Sequence, residues 1–222
     1  MENQLCSMEN MEVIDNQFWK NKKVFVTGHT GFKGSWLTLL LRMIGAKVWG
    51  YSLEVGNGPN LFRELTSKNH NFLKNDFFHN IGNILNQKDL DKAVQACQPD
   101  IVFHLAAQAL VRKSYNDPIN TWDTNVIGSL KVLESLRKIK NNCAVVMVTT
   151  DKVYQNNEWV YGYRETDRLG GNDPYSASKA SSEIAIASWK KSFCGIHNHQ
   201  TSKLAIATAR AGNVIGGGDW CQ

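Results

Sequence analysis

Apolar positions along the chain fall into short unbroken runs that alternate with longer stretches of helical spacing. Lys23-Val-Phe-Val-Thr27 is the first run, β-branched and aromatic and closed by glycine, and it reads as a strand buried on both faces. Over 34–44 the residues Trp36, Leu37, Leu40, Leu41 and Ile44 recur at helical intervals, and Gly45 stands where a helix is commonly capped. The alternation continues with a strand over 46–51, a short helix at 61–65 behind a Gly- and Asn-rich stretch, a third strand within 71–81, a helix over 87–97 and a strand over 100–105. A long helix is predicted from Asp117-Pro118 to about Lys140, with Asp117 as N-cap and Pro118 at the first helical position. A strand over 144–149, a helix from Tyr175 to about Phe193 and a strand over 204–209 complete the pattern. Uniformly apolar strands, each followed by an amphipathic helix, predict a parallel sheet covered on both faces. The fold class is therefore α/β, a Rossmann-like doubly wound sheet, in one domain over 17–222. Residues 1–16 lack periodicity and read as a flexible lead-in.

Composition narrows the partners. The net charge of +5 is spread out, with no basic run longer than Lys22-Lys23 or Lys190-Lys191, which suits a small anionic ligand better than nucleic acid. Cys6, Cys97, Cys143, Cys194 and Cys221 are odd in number and lack a CxxC pair. That argues against a disulfide scaffold or a metal site and for a reducing cytoplasm. The amino terminus shows no basic stretch followed by an apolar one, and the most apolar run contains Arg42. No signal peptide or membrane span is expected.

Gly28-His29-Thr30-Gly31-Phe32-Lys33-Gly34 follows the first strand directly and opens the first helix. A glycine string alone is a weak signal. Between strand and helix it provides a tight turn, close backbone approach to a pyrophosphate and the helix N-terminus as an anion site. Gly28, Thr30, Gly31, Phe32, Lys33 and Gly34 are thus candidate dinucleotide contacts, with Lys33 directed either at phosphate or at water. The acidic residue that pairs with the ribose about 20 residues on has no clear counterpart; Ser52 and Glu54 are the choices. No arginine stands there for a 2′-phosphate, so NAD is preferred over NADP.

Tyr175-Ser-Ala-Ser-Lys179 places a phenol and an ammonium four residues apart on one helical face. A nearby cation is expected to lower the phenol's pKa and make Tyr175 an acid/base for an alcohol proton. The motif is short enough to arise by chance on a surface helix. Thr149-Thr150-Asp151-Lys152, at the carboxyl end of a predicted parallel strand where ligands of such sheets collect, shifts the balance to chemistry.

With these residues the chain resembles the extended short-chain dehydrogenases/reductases. Within them, Thr27–Leu37, Phe103–Gln108, Asp151–Tyr154, Glu158–Glu165, Gly170–Lys179 and Arg210–Trp220 resemble the CDP-glucose 4,6-dehydratases, over about 15–220. The resemblance implies a firmly held NAD and a CDP-glucose substrate, with hydride leaving sugar C4, water lost across C5–C6 and hydride returned to C6. It casts Tyr175 as the O4 base, Thr150 as its hydrogen-bonding neighbour, Lys179 on the nicotinamide ribose and Asp151 as acid to the leaving hydroxyl. Lys152 is either the C5 base or a lysine that orients substrate and neutralises Asp151. Asn125 is implied as an active-site hydrogen-bonding residue near the cofactor; the alternative is an asparagine buried in a long helix with an ordinary backbone partner. Asn83, Ile84, Leu105, Ala106, Ala107 and Gln108 are implied as cofactor neighbours, and Arg210 and Asn213 as substrate contacts. A homodimer through helices 117–140 and 175–193, and a role in making deoxysugars for polysaccharide, also follow from the resemblance. Asn83 replaces a usual aspartate and Tyr161 a usual tryptophan. The family continues past the Gly-Gly-Gly-Asp-Trp stretch into a substrate region, most of which this chain is expected to lack. The rival readings are an NAD-dependent nucleotide-sugar 4-epimerase and a non-catalytic NAD-binding fragment.

Overall fold

The computed structural model describes residues 15–68, 76–194 and 203–219. Six parallel strands form one sheet: β1 (Lys23–Thr27), β2 (Lys47–Ser52), β3 (Phe77–Ile81), β4 (Ile101–His104), β5 (Cys143–Thr150) and β6 (Leu204–Ala211). Their order, β3-β2-β1-β4-β5-β6, reverses direction between β1 and β4, which is the crevice where doubly wound sheets bind ligands. In register Thr27 lies opposite both Tyr51 and His104, and Thr149 opposite Arg210. The carboxyl ends are thereby level, and the loops that follow them open on one edge.

Period-2 side-chain alternation divides the core. Phe25, Val102, Val145 and Met147 point to one face, under Leu90 and Val94 of α4 (Gln87–Cys97) and Leu133 and Leu136 of α7 (Gly128–Leu136). Val24, Val26 and Val48 point to the other, under Leu41 of α2 (Phe32–Met43) and Phe62 of α3 (Leu61–Lys68). Gly45, with φ 89°, ends α2 as its place in the sequence predicts.

Several boundaries depart from the sequence pattern. Asn16–Trp19 form a short helix, α1, whose N-cap Asp15 accepts from Gln17 N; the rest of the lead-in, 1–14, lies outside the described residues, as does 71–75 of the third-strand span. Helix α5 (Val111–Asn116) has no counterpart in the pattern. The single helix predicted over 117–140 is broken into α6 (Pro118–Trp122), a π turn (Asp123–Ile127) and α7. Asp117 does cap α6, accepting from Asn120 N, with Pro118 behind it. The π turn has a tertiary cause: Asn125 O accepts from both Ser129 Oγ and Ser182 Oγ, the latter on α8 (Pro174–Phe193). The helix also stops at Leu136, because Lys140 N donates to Gln98 Oε1 and Asn141 Nδ2 to Pro99 O. Among the described residues no helix is long and apolar enough to cross a membrane.

Candidate active site

The turn after β1 is held by backbone proximity. Gly28 has φ 75°, and a Cβ there would stand 2.8 Å from Ala106 N. A Cβ on Gly34 would stand 2.0 Å from Gly28 O, so only hydrogen lets α2 begin this close to β1. Gly31, the N-cap of α2, offers no side-chain hydrogen bond to the first turn, leaving the helix N-terminus to act on an anion. Thr27 Oγ1 bonds His104 Nδ1 at 2.7 Å and accepts from Ala106 N at 3.2 Å, while His104 Nε2 meets Ser129 Oγ at 3.0 Å. Burial and the Lys179 charge lower His104 to about 3, so it is a neutral strut between β1, β4 and α7.

A cavity of about 810 Å³ opens above these carboxyl ends. Of the residues predicted to bind cofactor, Gly28, Thr30, Gly31, Phe32, Lys33 and Gly34 line it, and so do Ser52, Asn83 and Ile84. Leu105, Ala106, Ala107 and Gln108 form a further stretch of wall, with Thr150, Lys152, Tyr175 and Asn213 near the β5 end. Ser52 rather than Glu54 is the residue facing the cavity at the end of β2; its hydroxyl lies 2.7 Å from Thr30 Oγ1. Asn83 Oδ1 accepts from Leu85 N at 2.9 Å, shaping the turn that carries Ile84.

Four predicted site residues do not line the cavity. Asn125 is buried, accepts from Gln108 N at 2.9 Å and donates to Gln108 O and Ser178 Oγ. It holds the wall at Gln108 and does not line the cavity, which favours the plain buried-asparagine alternative. Arg210, predicted as a substrate contact, does not line the cavity; its guanidinium donates to Tyr154 OH, Glu165 O and Glu183 Oε2. Lys179 donates to Val148 O at 3.3 Å and is 7% exposed. Asp151 is exposed, accepting from Thr150 Oγ1 at 3.1 Å and lying 3.8 Å from Lys152 Nζ. Lys152 Nζ also reaches Asn213 Oδ1 at 3.4 Å.

One correction concerns Tyr175. Its phenol is pushed above the ordinary value by burial; the Thr150 hydroxyl opposes the rise, and Asp151 and Asp173 add to it. The lowering expected from Lys179 is absent, because that ammonium turns to the Val148 carbonyl. Lys179 itself is lowered to about 8, by burial first, then by Lys33, with Glu183 opposing. Lys33 is lowered by burial. Lys113, Asn120, Thr124 and Asp219 also line the cavity. Lys113 had no local signal, since α5 that carries it was not legible in the pattern.

The description of a protein-family model, GDP-mannose 4,6 dehydratase, matches residues 25–201. The chain belongs to this family. It is 46% identical to CDP-glucose 4,6-dehydratase of Salmonella typhimurium, over 95% of this chain and 57% of that protein. The chain thus spans little more than half the length of that relative. Among solved structures, an epimerase from Methanothermobacter thermautotrophicus superposes with TM-score 0.73 at 24% identity, covering 92% of this chain and 55% of its own. That likeness establishes the fold. UDP-N-acetylglucosamine 4-epimerase from Methanobrevibacter ruminantium, solved with UDP-N-acetylmuramic acid, matches at 26% identity with TM-score 0.67, over 86% of this chain and 55% of its own.

Proposed function

We propose that this chain is the cofactor-binding part of a nucleotide-sugar 4,6-dehydratase, converting CDP-glucose to CDP-4-keto-6-deoxyglucose with NAD. One observation carries the reading: a single cavity joins an uncapped helix N-terminus, Tyr175 and Lys152, whose ammonium lies 3.8 Å from Asp151. The glycine cradle fits a dinucleotide, since its backbone packing leaves Gly31 at the wall with only Gly28 O near a Cβ, at 3.3 Å. NAD, when bound, supplies the acceptor for hydride from sugar C4 and its donor back to C6. Tyr175 takes the O4 proton, with the Thr150 hydroxyl on the same oxygen. Asp151 gives a proton to the departing C6 hydroxyl, and Lys152 is the group placed for the C5 proton. Lys179, now donating to Val148 O, would hold the nicotinamide ribose when NAD is bound.

A 4-epimerase expels no C6 hydroxyl and needs no acid for that step, so the Asp151 and Lys152 pair favours the dehydratase. Tyr115, Ile119, Trp122, Ile127 and Ile184 leave an exposed apolar face on α5, α6, the π turn and α8, suited to a second copy in a cytoplasmic homodimer. The test is mass spectrometry of CDP-glucose incubated with the chain and NAD, alongside Tyr175→Phe. A product lighter by one water, lost in Tyr175→Phe while NADH binding persists, is the expected result. Turnover surviving in Tyr175→Phe, or no binding of NADH by the unaltered chain, would sink the reading.

A further inference from the structure

Helix α8 carries a third ionisable residue in step with Tyr175 and Lys179. Glu183 follows Lys179 by four residues, as Lys179 follows Tyr175, so the three form one column along the helix. Glu183 is 5% exposed, and its two oxygens are divided between two strands. Oε1 accepts from Thr149 Oγ1 of β5 at 2.5 Å, and Oε2 accepts from Arg210 Nη2 of β6 at 3.1 Å. The Arg210 side chain is 18% exposed; its Nη1 donates to Tyr154 OH at 2.9 Å and Glu165 O at 3.0 Å, and its guanidinium lies 5.0 Å from the Tyr154 ring centre.

Burying an ion pair contributes little net stability, because desolvating both charges offsets most of their attraction. Its surer effect is to fix a charge in place. Here the fixed charge adjoins the cavity: Thr149 lines it, and Lys179 lies one helical turn from Glu183.

We propose that Glu183 is a positioning residue for the Tyr175–Lys179 site. Clamped by Thr149 and Arg210, it sets a counter-charge behind the Lys179 ammonium, and Arg210 moderates how strongly that counter-charge acts. The inference rests on reading Tyr175 and Lys179 as the site pair. The groups facing Lys179 come from four elements: Lys33 on α2 repels it, Glu183 on α8 attracts it, buried His104 on β4 is neutral, and Val148 O on β5 accepts from it. Arg210 stands beyond Glu183 and is held more firmly protonated by it.

Opposite shifts follow from the two ends of the clamp. Removing the carboxylate in Glu183→Gln leaves Lys33 unopposed, so Lys179 titrates lower, by about one pH unit. Removing the guanidinium in Arg210→Met leaves Glu183 facing Lys179 alone, so Lys179 titrates higher. Arg210→Lys keeps the cation and should leave Lys179 where it is. The measurement is NMR titration of the Lys179 ammonium in the 222-residue chain labelled with 15N-lysine, its signal assigned by its loss in Lys179→Arg. Circular dichroism checks that each variant is folded.

Opposite shifts support the proposal. Midpoints unmoved in both variants overturn it. So do upward shifts in both, because mere loosening of α8 would hydrate Lys179 and raise it in either variant. Should Arg210→Met fail to fold, Glu183→Gln decides alone: a lower midpoint supports the proposal, and an unchanged or higher one overturns it. NADH titration of the same samples keeps the two readings apart, since loss of binding in the unaltered chain counts against the proposed function without moving the Lys179 midpoint.

Discussion

Gly34→Ala sets helix propensity against close packing in the turn that follows β1. Gly34 is the third residue of α2, and by propensity alone alanine there would stabilise the helix by about 1 kcal/mol. The packing reverses that sign. A Cβ on Gly34 would stand 2.0 Å from Gly28 O and 2.7 Å from His29 Cα, both backbone atoms that no rotamer change moves aside. Overpacking costs about 1–3 kcal/mol and occasionally more; a clash with two fixed backbone atoms falls in the upper half, about 2–3 kcal/mol, so a net loss on the order of 1–2 kcal/mol is expected after the propensity gain. Gly28→Ala should be at least as harmful. Its Cβ would meet Ala106 N at 2.8 Å, and its left-handed backbone adds about 1–2 kcal/mol. Gly31 is the internal control, with extended backbone and only Gly28 O near a Cβ, at 3.3 Å. Gly31→Ala should keep stability within about 0.5 kcal/mol and weaken NADH binding, since the added methyl stands at the cavity wall. The assay is urea unfolding of the three variants by tryptophan fluorescence, with NADH titration of each. Gly34→Ala as stable as the unaltered chain would refute the reasoning.

Acid should weaken the fold through its buried imidazoles. His29 and His104 are lowered to about 3, by burial first and then by His79 and Lys179 respectively. The unfolded chain therefore binds protons before the folded one does, and stability, full above about pH 6.5, falls toward pH 3. Near pH 5 each imidazole costs about 2 kcal/mol; equal urea midpoints at neutral pH and near pH 5 would contradict this. Among the cysteines, burial pushes both Cys97 and Cys143 up, Cys143 to about 12. Neither should react with a thiol reagent in the native chain and both should react in denaturing urea, as peptide mapping would show. Rapid native labelling of Cys143 would contradict its placement in the core.

The strand and helix alternation was legible because each element buries a continuous or periodic apolar face that the chain writes locally. Phe25 and Val24 show this, taking opposite faces of the sheet as period-2 alternation requires. The glycine loop was legible for the same reason, all of its parts being contiguous between β1 and α2. Helix α5 was not, since residues 111–116 carry too little apolar periodicity to announce a helix, and this hid Lys113. The break over 123–127 was not either, because it answers to Ser182, far along the chain.

The sequence by itself determined the parallel α/β sheet, the glycine loop between β1 and α2 and the Tyr175–Lys179 spacing, since these depend on residues within a few turns of one another. Only the tertiary structure decided that Ser52 and not Glu54 faces the cavity, that Asn125 holds Gln108, and that Arg210 pairs with Glu183. It also decided the sign of the Tyr175 shift. Burial and the direction of a long side chain are set by whatever packs around them, and for these residues the neighbours come from strands and helices distant in the chain.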